Sequence, residues 1–573
     1  MILNNFLISF LFISLTFCSF LPVCVYAEES SKVRQVFVRD QLAAFNARTL
    51  TELLNALPGI SANGGIKIQG SSSSNVVVLI DGRRITDSAT KVNNIGGYFA
   101  KDIEQIEVIK GAGAAIYGDD TAGGVILITT RKGKKGISGS IEVFTDTYRK
   151  SQIMAKIAQQ GASCGKGGTL KLSYADQPQN YPDWWDIVVK NIFWDKTLNN
   201  GAQWMVNFDG LYGVYNLPGL TYAPTPSAEL KGYDWNLTTI FKKDLFKSQT
   251  YYTGYGDNYE NPDTNFHHKY LSQVVGETIN YSLDFPIIGQ TPVGGTVEQH
   301  IITSNNFDTE KESQGHLFAT KDWELAEWVN LAVGFRLSYY TAFDWGYNPE
   351  ITLTFPLDKW IVKANANQSC NTPSIHNRFY NTTYTKGNPD LDLEKVRNFS
   401  LGLAWNPMET LGLSANGFYN RIDDAVTQVR YGDITTYENL ATTTRKGGEV
   451  SMDLKPWEMA NLNLSYVYLL AKNDDTDLYL IEKPQHTFKY TMNIKWNDFA
   501  LIHKGEYTSS YYSDSANSIE IPGRYIGDIR VERSWRDWLV YLDVTNFLDK
   551  NYEKYYGKPG NERVFRLGVQ RDF

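Results

Sequence analysis

Cysteine is scarce, with four in 573 residues. Cys18 and Cys24 fall inside an apolar leader, which leaves Cys164 and Cys370 beyond it. Two cysteines exclude a disulfide scaffold and a cysteine metal cluster, and spacing alone does not say whether they meet. Histidine is also thin, with seven residues, of which only His267 and His268 adjoin. No Ser/His, Cys/His or metal-ligand constellation has a defensible spacing, so nothing points to an enzyme. Excess positive charge is missing too: the formal net charge is −8. Without a Lys/Arg stripe there is no electrostatic footprint for nucleic acid. Long apolar runs are absent after Phe6–Tyr26, and mean hydropathy is −0.34. A bundle of membrane helices is thereby excluded.

Aromatic residues are what the chain does have, with 14 Trp, 36 Tyr and 28 Phe. The leader closes on the small-residue pattern Val25-Tyr26-Ala27. That pattern reads as a secretory signal, residues 1–27. An exported chain that is polar on average yet rich in aromatics suits a transmembrane β-barrel, in which one side of each strand faces lipid.

Residues 28–133 read as a small α+β domain. Val33–Arg39 is a strand candidate, and Leu50, Leu53, Leu54 and Leu57 make one helical face. Thr49 with Glu52 has the spacing of a capping box, and Pro58-Gly59 stops the helix. Val76–Ile80 is a buried-strand run closed by Asp81-Gly82, a strong turn signal. The segment Asp102–Arg131 has two apolar runs around the glycine-dense stretch carrying Gly111, Gly113, Gly118, Gly123 and Gly124.

From residue 134 onward, alternation dominates. Val329, Leu331, Val333, Phe335, Leu337 and Tyr339 share one face, with small or polar residues between them. About 9–11 residues is the span a tilted strand needs to cross a bilayer. Trp-bearing short turns recur at Pro456–Met459, Trp496–Phe499 and Trp535–Trp538. These read as one aromatic girdle. At about 20 residues per strand and loop, 134–573 holds about 22 antiparallel strands, the number associated with plugged outer-membrane transporters. Longer outer loops are expected at Val214–Leu230, Gly254–His268, Thr341–Glu350, Cys370–Leu391, Asp423–Thr436 and Lys472–Ile481.

With those elements placed, the chain resembles the TonB-dependent outer-membrane receptor family. Val77-Val-Leu-Ile-Asp-Gly-Arg83, Ile106–Gly111, Ala115–Gly118 and Gly123–Thr129 carry the resemblance in the first domain. Gly387–Leu391, Lys483–Thr487, Asn546–Tyr552 and the terminal Phe573 carry it in the barrel. Size and plug layout are most similar to cobalamin and small siderophore receptors. The resemblance implies an N-terminal plug inside an all-β barrel in the outer membrane of a Gram-negative bacterium. It makes Asp81, Gly82, Glu107, Gly111, Tyr117, Gly118, Gly123 and Gly124 the plug signature. It implies lipid around the barrel and makes Phe573 the signal read by the barrel-assembly machinery.

The implied activity is import of a scarce large ligand, a ferric siderophore or cobalamin-like chelate, driven by a TonB-type inner-membrane protein. The segment that such a partner would pull is Val33, Arg34, Gln35, Val36 and Phe37, yet these residues align better with the first plug strand than with a TonB box. A receptor, adhesin or plugged pore without coupling is therefore the alternative. Gln69 also stands where the family carries an arginine. Arg83, Arg84 and Lys91 would attract an anionic chelate, with Tyr98, Tyr181, Trp184 and Trp185 as further candidates for ligand contact. Asp474, Asp475 and Asp477 are candidate calcium ligands in an outer loop.

Overall fold

The computed structural model describes residues 34–62, 64–111, 113–131, 136–147, 150–160, 164–175, 184–217, 219–286, 288–383, 385–431 and 434–573. The signal segment and Val33 lie outside these residues.

The first domain is built on a five-stranded sheet. Its order is Arg34–Val38, Ile103–Lys110, Gly124–Thr130, Val76–Ile80 and Arg83–Arg84. Val76–Ile80 runs parallel to Gly124–Thr130, and the other pairings are antiparallel. One sheet face, with Val76, Val78, Ile80, Ile106, Val108, Ile126 and Ile128, is buried against the helix Leu50–Ala56. Leu50, Leu53, Leu54 and Leu57 complete that core. The helix starts where the capping pattern puts it: the Glu52 amide donates to Thr49 Oγ1 at 3.1 Å. The Glu52 carboxylate reaches one residue further back than a capping box requires, accepting from the Arg48 amide at 3.0 Å.

Asp81 and Gly82 have φ of 51° and 80°. Two positive values in a two-residue turn give the hairpin type whose twist matches its strands. Gly124 is needed for a different reason: a Cβ there would sit 2.2 Å from the Ile109 carbonyl oxygen. The glycine-dense stretch is not all turn, since Ala114–Tyr117 forms a short helix within it.

Around this domain closes a barrel of 22 antiparallel strands, from Gly136–Asp146 to Val564–Asp572. The last strand pairs with the first, with Val569 opposite Val143. Phe573 completes the closure through two backbone bonds with Gly139, of 2.7 and 2.9 Å. Alternation sorts the faces as the sequence predicts. On Val329–Tyr340, Val333, Phe335 and Tyr339 face outward, whereas Arg336 and Ser338 are buried inside. The Trp-bearing turns are tight. Trp496 and Phe499 pair across one, and Trp535 and Trp538 across another.

Several expected outer loops prove to be strand. Phe246–Asn261 and Phe266–Phe285 run through most of Gly254–His268. Leu411–Tyr431 and Ile434–Trp457 run through most of Asp423–Thr436, and Asp344–Leu357 takes up most of Thr341–Glu350. Above the lipid the outward side of a strand carries no apolar signal, but its backbone groups still need partners. The ladder therefore continues where the alternation stops. Strand length varies accordingly, from 24 residues in Ile434–Trp457 to 8 in Trp538–Thr545.

Candidate ligand site at the outer mouth of the barrel

Two plug segments meet outer loops. Ser71 accepts at its carbonyl from Lys483 Nζ, 3.0 Å away. Ala89 accepts at its carbonyl from the His376 amide at 3.2 Å. These contacts put both segments at the plug's outer end, while the Asp81-Gly82 turn sits near the opposite rim beside Lys247 and Gln249.

The cations expected to face an incoming ligand are already engaged. Arg83 is 1% exposed and forms an ion pair with Asp209 of the strand Gln203–Asn216. Tyr98 is also buried and donates its hydroxyl to Asp209 at 2.7 Å. The Asn191 amide donates to the same carboxylate at 2.6 Å. Burial alone would depress the Arg83 guanidinium; the Asp209 carboxylate outweighs it and holds the pKa above its ordinary value. Arg83 and Tyr98 therefore fasten the plug to the wall and do not face the mouth, contrary to expectation. Charge count and sequence position did not reveal this, because Asp209 lies 126 residues from Arg83.

Arg84 and Lys91 converge on Asp120. Each donates to Asp120 Oδ2 at 2.9 Å. The Thr372 amide donates to Asp120 Oδ1 at 3.0 Å, and the Asp120 amide donates to the Cys370 carbonyl at 3.1 Å. One buried carboxylate thus ties a plug loop, the plug signature and an outer loop together. Burial would raise its pKa, but Lys91 and Arg84 reverse that and lower it. Sequence reasoning passed over Asp120, whose only local signal is an acidic pair, Asp119-Asp120, beside the Gly118 turn.

Above this tie the loop after Trp360–Asn371 folds back into the mouth. Its helix Ile375–Phe379 is capped by Ser374, which accepts from the Asn377 amide at 3.0 Å. Arg378 pairs with Glu312, and its guanidinium lies over Phe343 and Phe379. His376 stacks on Tyr380 at 4.0 Å, and Tyr380 meets the edge of His268 at 5.2 Å. His268 continues to Tyr270, and Tyr270 to Tyr255. Burial, with His268 adding to it, pushes the His376 imidazole down to about 4, so it is neutral at pH 7. This band of uncharged rings offers stacking surfaces to a ring-bearing ligand. Of its members only the pair His267-His268 stood out in the sequence, and the two residues separate: His267 bonds Asn258, while His268 bonds Asn306.

The other candidates divide. Trp184 stacks on Tyr215 with Lys150 Nζ over its ring, whereas Trp185 packs on Tyr212 and is exposed. Tyr181 lies outside the described residues. Asp474 accepts from Thr444, Asp475 from the Thr442 amide and Asp477 from Lys472. Among the described residues no group of three or more His, Cys, Asp or Glu is gathered as a metal site. Cys164 and Cys370 are free thiols, one exposed and one buried.

The plug signature serves the plug's seat. Asp81 accepts from the Thr130 amide and hydroxyl at 2.9 and 2.6 Å. The Gly111 carbonyl accepts from Asn367, Gly118 lies under the Arg336 guanidinium, and Gly123 donates to the Asn75 carbonyl at 2.7 Å. Glu107 accepts from Gln105 at 3.0 Å, and Tyr117 packs on the sheet near Val77 and Val125. Gln69 reaches Glu449 at 3.4 Å, but Lys110 supplies the ion pair to that carboxylate. Of the proposed coupling segment, Arg34–Val38 is an edge strand of the plug sheet. In it Phe37 is buried against Phe45, while Val36 and Val38 are exposed.

Comparison with known proteins decides the family. A model described as TonB dependent receptor-like, beta-barrel matches residues 157–547, and one described as TonB-dependent Receptor Plug Domain matches 27–125. The chain belongs to the TonB-dependent receptor family. It is 23% identical to the iron-regulated outer membrane virulence protein of Vibrio cholerae serotype O1, over 94% of this chain and 92% of that one. It is 21% identical to the vitamin B12 transporter BtuB of Photobacterium profundum, over 90% and 88%. The siderophore receptor PirA from Acinetobacter baumannii superposes with a TM-score of 0.78 at 13% identity, covering 94% of this chain and 98% of that one. This TonB-dependent receptor is accordingly an outer-membrane barrel of a family of receptors and transporters, not of enzymes.

Proposed function

We propose that this TonB-dependent receptor imports a scarce metal chelate, a ferric siderophore or a cobalamin-like compound, by energy-coupled rearrangement of its plug. The observation that carries this reading is the plug's attachment. It fills a closed barrel, yet ion pairs and hydrogen bonds hold it, and these can exchange without breaking a covalent bond. Ligand arriving at the His268, His376 and Tyr380 rings would rest on the loop tied down by Asp120. Relatives named for iron regulation and for vitamin B12 support a chelate as cargo. A pull on the N-terminus would first peel Arg34–Val38 from Ile103–Lys110, because that strand is the sheet edge.

Uptake of ferric chelates and of cobalamin tests this, in cells with and without a proton gradient. The intact chain is compared with one lacking residues 28–34, at matched surface levels. Uptake that fails in uncoupled cells and in the truncation is expected. Binding without energised uptake in every condition would overturn the import reading and leave a receptor.

A further inference from the structure

At the inner rim, the tight turns beside the closing seam carry three arginines laid over aromatic rings. Arg533 lies over Phe499 at 5.3 Å, Arg536 over Trp535 at 5.4 Å and Arg571 over Trp538 at 5.2 Å. Strand register brings the first and third pairs together, since Phe499 is opposite Arg533 and Trp538 is opposite Arg571. Successive residues of a strand face opposite sides. Glu532 and Gln570 face the plug: Glu532 accepts from Asn46 at 3.0 Å, and Gln570 accepts from Lys101 at 3.5 Å. Their neighbours Arg533 and Arg571 therefore face lipid.

These cations lack carboxylate partners. Among the described residues, Arg533, Arg536 and Arg571 form no ion pair. Asp572, beside Arg571, accepts from Gln570 instead, at 2.9 Å. Lipid-facing arginines nearer the outer end of the barrel differ, because Arg397 and Arg421 share Asp423 at 3.2 and 2.8 Å. A stacked ring covers one face of a guanidinium and leaves its N–H edge for an acceptor. That planar fork matches the oxygens of a phosphate. Toward the membrane interior the same side of the wall turns apolar, with Val531, Val540 and Leu567 exposed.

We infer that this arc of the rim binds the headgroup of an anionic phospholipid in the inner leaflet. Its phosphodiester rests on the Arg533 and Arg571 edges, and its acyl chains run along Val531, Val540 and Leu567. The two arginines flank the strand Trp538–Thr545 on either side. Two strand spacings make about 10 Å, a gap that two side chains of this length close between them. A zwitterionic headgroup brings its own ammonium beside the phosphate, so it gains less from the same arginines. The site is on the lipid side of the wall, and its occupancy needs neither cargo nor an energised partner.

The purified barrel with its plug, in nanodiscs of equal parts phosphatidylethanolamine and phosphatidylglycerol, tests this. Native mass spectrometry counts the lipids that stay bound when the disc is stripped. One arginine near an anionic lipid surface is worth about fivefold. Wild type is therefore expected to retain phosphatidylglycerol over phosphatidylethanolamine by about tenfold or more, and Arg533→Gln with Arg571→Gln to lose most of that preference. Arg397→Gln with Arg421→Gln, toward the opposite boundary, should leave it unchanged. Wild-type retention in the ratio supplied, or a preference that survives Arg533→Gln with Arg571→Gln, overturns the inference. So does an equal loss in the Arg397→Gln with Arg421→Gln protein, since the preference would then follow net charge and no site. A second measurement needs no variant: the wild-type preference should fall as KCl rises, and a preference indifferent to salt refutes a headgroup held by exposed charge.

Discussion

Replacing Asp209 with asparagine removes the charge that seats one edge of the plug. The carboxylate and its partner Arg83 are each 1% exposed, and Tyr98 and the Asn191 amide also donate to it. An asparagine oxygen cannot satisfy three donors, and its amide hydrogens have only the Tyr98 hydroxyl oxygen in that cluster to accept them. Breaking a buried ion pair by removing one partner costs about 3–5 kcal/mol, because the other charge stays uncompensated. At 1.4 kcal/mol per tenfold, that shifts the ratio of seated to unseated plug by about 10² to 10³·⁵. Limited proteolysis and urea unfolding of the plug in detergent read this directly: Asp209→Asn should release plug fragments that wild type protects. The paired variant Arg83→Met with Asp209→Leu removes both charges but leaves the Tyr98 hydroxyl and the Asn191 amide without their acceptor, so it should recover only part of the loss. If Asp209→Asn unfolds where wild type does, or if the double variant is the worse of the two, the argument that this pair seats the plug fails.

Three further outcomes follow from contacts elsewhere. Thr49→Ala removes the cap of the plug helix and should lower plug stability by about 1 kcal/mol, seen as an earlier urea midpoint. Deleting Phe573 removes both backbone bonds to Gly139, so folded barrel should be lost from the outer membrane while total synthesis is unchanged; equal folded yield would count against this closure contact. Lys483, which donates to the Ser71 carbonyl, is pushed down to about 7 by burial, with Lys67 and Arg445 adding to it. An unfolded lysine keeps its proton to about pH 10.4. Between those values the folded state binds fewer protons, so stability should rise with pH across that window. Lys483→Met should flatten the slope, and a flat wild-type profile would refute the assignment.

What the sequence made legible was local or periodic. Val333, Phe335 and Tyr339 face lipid because a pleated strand alternates, and Asp81-Gly82 turns because few residues accept positive φ twice in succession. Thr49 caps its helix within three residues of the group it serves. The site was less legible, because its partners are distant in the chain. Arg84 and Lys91 were visible as charges, but Asp120, which neutralises them, was not. Gln69 stands where the family carries an arginine, and the ion pair to Glu449 comes instead from Lys110, 41 positions along the chain. His376 and Tyr380 gave no signal at all, since a loop must fold back into the mouth before they meet His268. Outer hairpins read as loops in the sequence because above the membrane only hydrogen bonding, and no longer hydrophobicity, shapes the strand.

The short strands at the closing seam bear on the surrounding lipid. Trp538–Thr545 has 8 residues and Val564–Asp572 has 9. Tilted as barrel strands are, they supply about 19–24 Å of hydrophobic height, short of the ~25 Å that flanks them elsewhere. Where a strand falls short of the apolar band, thinning of the adjoining leaflets costs fractions of a kcal/mol per Å of mismatch. The barrel's perimeter is thus not uniform to the bilayer: its two shortest strands lie side by side, next to the line where the first and last strands join.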